Sequence, residues 1–414
     1  MHKARPLTIE QRASKILNEN PLIDGHNDLA ILVRFMYGNH IYSDEFKKGF
    51  EEGGLAGHVD IPRLDRGKVG GSFWSVFVGC PANITDFSDE NYAGSVRQTL
   101  EQLDLYRRLG LAYPKHFTPT PSYAAALSAF SSGRLISPAG IEGLHQIGNS
   151  LSTLRLYHTL GVRYATLTWN CHNAYADAAV LSTANATVAA TPLHHGLSAA
   201  GRRLVTEMNR LGMLVDLSHV SADTMRDALV GGGGSSSGDG WNGSLAPPIF
   251  SHSSAHALCP HPRNVPDDVL HLVKARNSLV MVNFSPDFIS CVPGDSWTGL
   301  PDLYTPNVTL HQVVRHIMHI GALIGYDHVG FGSDFDGIQT TPRGLDDVSK
   351  YPALVAALLE QGVSDRDVAK VVGRNLLRVW KEADEVAKQL QEETVPLEDE
   401  IETGWTAPRG GTEL

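Results

Sequence analysis

Eight short β-rich runs, each followed by a segment of helical character, are the feature that most restricts the fold of this sequence. The runs, rich in apolar and β-branched residues, are 21–28, 70–78, 137–144, 162–169, 213–219, 248–251, 278–284 and 328–334. Apolar spacing predicts helices around them, notably at 1–20, 90–109, 149–160, 196–211, 310–324 and 352–361. This alternation predicts an α/β protein whose strands close into a (β/α)₈ TIM barrel.

A single domain spanning residues 1–414 is expected, because this length is normal for an α/β barrel with insertions. The Gly/Ser-rich tract 231–240 predicts a flexible surface insertion that is too short to separate domains. Residues 31–68 are mixed and polar, which indicates a long loop and a helix over the barrel mouth. Residues 390–414, acidic and then rich in Gly and Pro, are expected to form a polar tail.

Side chains that can bind a metal recur where the predicted strands end. His26 and Asp28 end the first run and project to the same side, about 7 Å apart along an extended chain. Taken alone, this pair is more often a surface turn with an Asx-type hydrogen bond. Further candidates end the third, fifth, sixth and eighth runs, namely Glu142, His219, His252 and Asp334. Because chemistry gathers at the C-terminal ends of barrel strands, the set predicts a metal site there.

The types of these side chains indicate the metal and the reaction. Histidine nitrogen and carboxylate oxygen suit zinc or a similar transition ion, and a glutamate between two half-sites can bridge two metals. Two metals can hold a shared hydroxide and polarise a substrate carbonyl, an arrangement suited to amide hydrolysis. The predicted reaction is therefore cleavage of a peptide or other C–N bond.

Charge and hydropathy exclude several other classes of protein. The formal charge of −11 argues against nucleic acid or an anionic membrane as the partner. No stretch has the apolar length of a membrane span, no lipid-anchor tail ends the chain, and the N-terminus lacks the apolar core of a signal peptide. A cytoplasmic protein is expected, or a secreted one if the chain is a trimmed form. The four cysteines lack C-x-x-C spacing and leave two disulfides or free thiols open.

Seven motifs along nearly the whole chain carry a resemblance to a known family. They are DGHND (24–28), GGSFWS (70–75), GIEGLH (140–145), EMNRLGMLVDLSH (207–219), IFSHSSA (249–255), PRNVPDDVL (262–270) and GSDFDG (332–337). Together they resemble the membrane, or renal, dipeptidase family of dizinc peptidases, which belongs to the amidohydrolase-like metal barrels. The resemblance implies two zinc ions per chain, a dipeptide substrate and a homodimer.

Carried over position by position, the resemblance implies a role for each candidate. His26 and Asp28 bind one zinc, His219 and His252 bind the other, and Glu142 bridges them. Arg263 holds the C-terminal carboxylate of the dipeptide, a role that suits a planar bidentate donor, although a surface salt bridge to Asp267 or Asp268 is the plainer alternative. Asp334 lies beside the bridging water and moves its proton. The resemblance also implies that the cysteines pair as Cys80–Cys171 and Cys259–Cys291.

One position departs from the family pattern. After the fourth strand the family usually reads Leu-Thr-His, and that histidine is thought to steady the negative oxygen of the tetrahedral intermediate. This chain has Trp169, whose indole has a single N–H donor and cannot carry a proton charge. Asn170 or His172 is a candidate substitute donor, Trp169 is a candidate substrate-binding residue, and core packing of Trp169 is the plainer alternative.

The sequence thus predicts a zinc-dependent dipeptidase, with units of the Cys-Gly type among its expected substrates. Two alternatives remain at this point. One is a related metal-barrel enzyme, a cyclic amide hydrolase or a lyase, that acts on a different small carboxylated molecule. The other is a non-catalytic homologue that keeps the metal site, against which the near-complete ligand set argues.

Overall fold

Eight parallel strands form the centre of the protein in a computed structural model that describes residues 6–231 and 240–400. In chain order they are β1 (Leu22–Asn27), β2 (Val69–Ser75), β3 (Ala139–Glu142), β4 (Val162–Thr166), β5 (Leu214–Asp216), β6 (Ile249–Phe250), β7 (Leu279–Val282) and β8 (Val329–Phe331). Each strand pairs with its neighbours in sequence, and β8 pairs with β1. The sheet is therefore closed, and the predicted TIM barrel is confirmed.

Helices surround the barrel, and most connect one strand to the next. Their bounds are Ile9–Glu19, Leu29–Tyr37, Asp44–Glu52, Ile61–Arg66, Asp89–Ala112, Tyr123–Ser131, Leu151–Thr159, Ala199–Leu211, Ala222–Val230, Asp267–Ala275, Pro286–Ile289, Leu310–Ile324, Tyr351–Glu360, Asp365–Ala369 and Asn375–Glu393. Ser, Thr or Asp side chains cap many of their N-termini, as Thr8, Ser88 and Ser198 do. Such caps bond backbone N–H groups that the first helical turn leaves unpaired.

The segment at 31–68 is more regular than predicted. It contains most of the helix Leu29–Tyr37 and all of Asp44–Glu52 and Ile61–Arg66, rather than a long loop with one helix. The side chains of Phe46 and Phe50 are fully buried and stack at 5.3 Å between ring centroids. The ring of Phe50 also packs on Tyr113 and Phe117, so the segment is fixed to the rest of the protein.

The last described helix, Asn375–Glu393, was not predicted, and the predicted tail begins inside it. Its buried Trp380 packs on Phe73 of β2, with ring centroids 5.3 Å apart, within a cluster of barrel side chains. Beyond it, Asp399 accepts hydrogen bonds from the backbone N–H groups of Leu151 and Ser152. Residues 394–400 therefore pack against the protein, whereas 401–414 lie outside the described residues.

Short elements complete the fold. Two small hairpins pair Val180–Ser182 with Thr187–Ala189 and Cys291–Val292 with Asp302–Leu303, and Thr118–Pro119 pairs with Ile136–Ser137 beside β2. The Gly/Ser-rich tract falls almost entirely on residues 232–239, which lie outside the described part of the chain. None of the helices within residues 6–231 and 240–400 combines the length and hydropathy that crossing a bilayer requires.

Candidate metal centre and active site

The five side chains predicted to bind metal converge on Glu142, at the C-terminal ends of the barrel strands. One carboxylate oxygen, Oε2, lies 3.5 Å from Nε2 of His26. The other, Oε1, lies 2.7 Å from Nε2 of His219 and 3.4 Å from Nε2 of His252. Oδ2 of Asp28 lies 3.0 Å from Nε2 of His26. The two oxygens of Glu142 thus face different predicted ligands, Oε2 facing His26 and Oε1 facing His219 and His252.

Hydrogen bonds on the far side of each imidazole set its orientation. Nδ1 of His26 is 2.7 Å from the Tyr164 hydroxyl, and Nδ1 of His219 is 2.9 Å from Oδ1 of Asn170. Nδ1 of His252 lies 2.8 Å from Oγ of Ser251, whose hydroxyl donates to Asp216. Partners of this kind fix the tautomer of a metal-binding histidine.

The tautomers show that the site suits a cation. Nδ1 of His219 donates to the side-chain oxygen of Asn170. Nδ1 of His252 donates to Ser251, because the Ser251 hydroxyl donates its own hydrogen to Asp216. Both Nε2 atoms therefore carry lone pairs, yet they lie 3.0 Å apart and against a carboxylate oxygen. Within the described part of the chain, the buried Oδ1 of Asp28 also has no hydrogen-bond partner. Such a donor set fits divalent metal ions.

Burial keeps His219 and His252 neutral. It lowers the pKa of His219 to about 3 and holds the pKa of His252 well below its usual value. For Glu142, burial acts to raise the pKa, but His26 and His219 outweigh it and hold the pKa well below the usual value. Neutral imidazoles and an ionised carboxylate are the protonation states that bind metals.

Asp334 joins the same site from the loop after β8. It has an oxygen within 4.8 Å of ligand atoms of His26 and Asp28, and its Oδ2 accepts a hydrogen bond of 3.0 Å from Nδ2 of Asn283. Burial holds the pKa of Asp334 well above its usual value, while the charge of His26 opposes that rise. A carboxyl group that exchanges its proton readily beside the predicted metals can act as an acid or a base.

The backbone is unusual where it delivers these groups. His219 and Asp334 have φ angles of 67° and 65°, in the left-handed region that residues other than glycine seldom adopt. At Gly337, an added Cβ would lie 2.2 Å from Oδ2 of Asp28 and 2.6 Å from Oδ1 of Asp334. The close approach of the two carboxylates to this loop therefore requires glycine.

Arg263 is buried, with 1% of its surface exposed, and is not a surface residue. Its Nη atoms have only long contacts to described residues, 3.5 Å to Oγ of Ser253 and 3.5 Å to the carbonyl oxygen of His252, and its buried Nε has no partner among those residues. Asp267 pairs instead with His319, and Asp268 with Arg226. The alternative of a surface salt bridge is therefore wrong.

A buried guanidinium group lowers the stability of the fold when no anion pairs with it. The burial of Arg263 therefore indicates that it binds an anionic group of the substrate. Burial lowers the pKa of Arg263 to about 10, although the charge of Asp334 opposes this. The guanidinium carbon lies 5.1 Å from the ring centre of Phe288, which lines the cavity above the site. Arg263 thus lies at the edge of the metal centre, where its N–H groups can donate to a carboxylate.

A cavity of about 830 Å³ opens above the predicted ligands. Trp169 is partly exposed and lines its wall, so core packing is not its position in this fold. Asn170 also lines the cavity. His172 does not, because its Nδ1 accepts from the Ala178 N–H and its Nε2 donates to the Thr191 carbonyl. Of the two candidate substitutes for the missing histidine, only Asn170 is suitably placed.

All four cysteines are disulfide-bonded in the structure, as Cys80–Cys171 and Cys259–Cys291. The first bond joins the loop after β2 to the loop after β4. The second joins the loop after β6, near Arg263, to the hairpin after β7. Both bonds thus connect loops at the barrel mouth.

Several residues of the site were not predicted. Tyr164 and Asp216 act through the histidines, and Asn283 acts through Asp334. Asn283 follows β7 as a polar residue after an apolar run, which is the signal that marked the other strand ends. Tyr164 gave no such signal, because a tyrosine within a strand is ordinarily a packing residue.

A closed parallel barrel with converging imidazoles and carboxylates at its C-terminal face defines the class of metal-dependent barrel hydrolases. Residues 10–394 match the family described as membrane dipeptidase, peptidase family M19. The chain belongs to this family of metallopeptidases, and it is a dipeptidase, a hydrolase that acts on peptide bonds.

Relatives support the same assignment. The chain is 45% identical over 389 residues to dipeptidase aclJ of Aspergillus oryzae, covering 94% of this chain and 83% of that one. It is 43% identical to dipeptidase tcpJ of Claviceps purpurea, covering 92% and 81%. A solved metallopeptidase of Rhodobacter sphaeroides, liganded with a phosphinate mimic of the dipeptide L-Ala-D-Ala, superposes with a TM-score of 0.69 at 25% identity, covering 88% and 99%.

Proposed function

We propose that the protein is a zinc dipeptidase that holds two zinc ions. His26 and Asp28 bind one ion, His219 and His252 bind the other, and Glu142 is shared between them. The observation that supports this proposal is that the two carboxylate oxygens of Glu142 face different ligands. Oε2 faces His26, whereas Oε1 faces His219 and His252. A carboxylate flanked in this way is suited to bridging two metals.

The zinc ions, when bound, would polarise the scissile carbonyl and make the attacking water more acidic. Side chains of the protein bind the substrate and transfer the proton. Arg263 binds the C-terminal carboxylate of the dipeptide through its Nη donors, whose contacts to Ser253 and His252 are long at 3.5 Å. Asp334, held by Asn283, moves the proton of the attacking water to the leaving amine. Trp169 and Asn170 face the reacting carbonyl from the cavity wall, where Asn170 supplies the donor that the family histidine usually provides.

The proposed substrate is a dipeptide whose carboxylate lies on Arg263 and whose scissile carbonyl lies over Glu142. The phosphinate mimic of L-Ala-D-Ala bound by the Rhodobacter sphaeroides peptidase is a molecule of this length. Dipeptides of the Cys-Gly type are included among the substrates that we propose.

Hydrolysis of a small dipeptide panel, Cys-Gly and Gly-D-Ala among them, tests the function. We expect zinc-loaded protein to release free amino acids and a chelated sample to release none. The corresponding N-acetylated or amidated dipeptides serve as controls for the need of free termini. Protein that holds two zinc ions per chain and releases nothing from the panel would contradict the proposal.

We also propose a homodimer, which the resemblance implies, and a cytoplasmic location. Sedimentation equilibrium decides the first, because a dimer doubles the mass of the 44.8 kDa chain. Immunofluorescence of the tagged protein in its native cell decides the second.

A further inference from the structure

Phe77 and Trp169 form an aromatic wall on one side of the cavity. Their rings meet edge to face with centroids 4.8 Å apart, and both side chains are partly exposed to the cavity. Trp169 also lies 6.2 Å from the ring of His219, so that the wall begins beside the metal centre. In the hydrolytic steps described above, this aromatic wall neither binds the carboxylate nor moves a proton.

The aromatic wall and Arg263 lie on opposite sides of the barrel mouth. Phe77 follows β2 and Trp169 follows β4, whereas Arg263 follows β6 and Phe288 follows β7. In a closed barrel of eight consecutively paired strands, the β2–β4 arc lies across from the β6–β7 arc. A dipeptide with its carboxylate at Arg263 therefore directs its N-terminal residue toward the aromatic wall.

The cavity is larger and more apolar than two small residues require. Its volume of about 830 Å³ is typical of sites for drug-sized ligands. Apart from the polar groups of the metal centre, much of the lining is apolar, and the helix after β1 adds Ile31, Leu32, Phe35 and Met36. Phe35 and Met36 are 77% and 59% exposed at the rim. Large exposed apolar side chains at a cavity mouth indicate an apolar ligand.

The aromatic wall is also held in place before any substrate arrives. Cys80 lies three residues after Phe77 and Cys171 lies two residues after Trp169, and these cysteines are joined by a disulfide bond. The carbonyl oxygen of Asn170 accepts a hydrogen bond of 2.8 Å from the Ser182 N–H, which anchors the same loop. A rigid aromatic surface loses little conformational freedom when a ligand packs on it.

We propose that Phe77 and Trp169 form a subsite for a large apolar or aromatic side chain on the N-terminal residue of the dipeptide. This inference rests on the proposed function, because the carboxylate on Arg263 sets the direction of the substrate. It names the substrate class as dipeptides with a bulky apolar first residue. Trp169 then determines specificity at the position where the family usually has histidine.

The test compares kcat/KM for Phe-Gly and Ala-Gly in zinc-loaded wild type and in Trp169→Ala, Trp169→Phe and Trp297→Ala. The wild type should prefer Phe-Gly by about 10-fold or more, a discrimination typical of apolar pockets. Trp169→Ala should remove most of this preference through KM, and Trp169→Phe should keep most of it. Trp297 is 76% exposed and does not line the cavity, so Trp297→Ala is the matched indole control and should leave the ratio unchanged.

A wild-type enzyme that hydrolyses both dipeptides equally well, or an unchanged ratio in Trp169→Ala, overturns the subsite. Calorimetric binding of the phosphinate analogues of Phe-Gly and Ala-Gly separates this outcome from failure of the proposed function. If neither dipeptide is hydrolysed, the proposed function fails. The subsite still stands if the Phe-Gly analogue binds more tightly to wild type than to Trp169→Ala, and it falls if the two proteins bind the analogue equally.

Discussion

Nε2 of His219 and Nε2 of His252 lie 3.0 Å apart, although the hydrogen bonds of both rings place a lone pair on each of these atoms. Two lone pairs at this distance repel each other in a buried site unless a cation lies against both. Glu142 adds a negative oxygen 2.7 Å from His219. The side chains of the barrel mouth are therefore arranged to bind metal ions.

Glu142→Gln should lower the metal content of the purified protein from two ions toward one or none per chain. The substitution removes the charge that faces both histidine groups, and an amide nitrogen cannot bind a metal. Elemental analysis by mass spectrometry measures the ions per chain. Glu207→Gln is the matched control, because Glu207 is equally buried but pairs with Arg155 and Arg210 outside the site. Equal metal content in all three proteins would refute the bridging role.

Tyr164→Phe should weaken metal binding by about 10–100-fold, because the tyrosine hydroxyl orients His26 from its far side. Competition with a chelator of known affinity measures this change. Tyr106→Phe provides the comparison, since the Tyr106 hydroxyl is also buried but bonds the Ser137 carbonyl away from the site. An affinity that falls equally in both variants would point to general destabilisation instead.

Asp334→Asn should retain both metal ions but reduce kcat by about 10²–10⁴-fold, the usual contribution of a positioned proton-transfer group. The side chain keeps its size and remains within reach of Asn283. Steady-state kinetics and elemental analysis of the same preparation separate turnover from metal loss. A kcat close to that of the wild type would exclude Asp334 as the proton-transfer group.

Arg263→Lys should lower kcat/KM for dipeptides by about 30-fold or more, corresponding to about 2 kcal/mol, mainly through KM. Lysine keeps the charge but loses the planar fork that matches a carboxylate. Dipeptide amides lack that carboxylate and should be poor substrates of both proteins, with little difference between them. A variant that loses activity on acids and amides alike would indicate that Arg263 supports the fold rather than the substrate.

Asp399→Asn should destabilise the protein at neutral pH by about 0.3–1 kcal/mol, because a carboxylate at the N-terminus of the helix Leu151–Thr159 is lost. Burial acts to raise the pKa of Asp399, but hydrogen bonds from Ser152 and Leu151 outweigh it and lower the pKa. A lowered pKa means that the stabilisation is complete above the unfolded-state pKa of about 3.9 and is lost as pH falls below it.

Thermal unfolding measured from pH 7 to pH 3 checks this expectation. The difference in Tm between wild type and Asp399→Asn should be constant near neutral pH and should shrink below about pH 4. Glu392→Gln, an exposed change near the same chain end, should show no comparable difference. A Tm difference that is absent at pH 7 would mean that residues 394–400 do not stabilise the helix.

The eight strands were predictable because parallel barrel strands are buried on both faces and appear as short apolar runs between helices. The same logic located His26, Glu142, His219, His252 and Asp334, since each stands where an apolar run ends. The helix Asn375–Glu393 was missed although its apolar spacing is regular. Only its last residues, 390–393, fall within the predicted tail, and its packing on the barrel through Trp380 is apparent only in the tertiary structure.

The sequence by itself determined the barrel, the family and the residues that can bind metal, because these depend on local periodicity and on residue types at strand ends. Only the tertiary structure decided that Arg263 is buried with no ion pair to a described residue and that His172 faces away from the cavity. It also brought Trp169 against Phe77 and gave His26 its hydrogen-bond partner Tyr164. These relationships join residues of different strands and loops, and only the closing of the barrel fixes their distances.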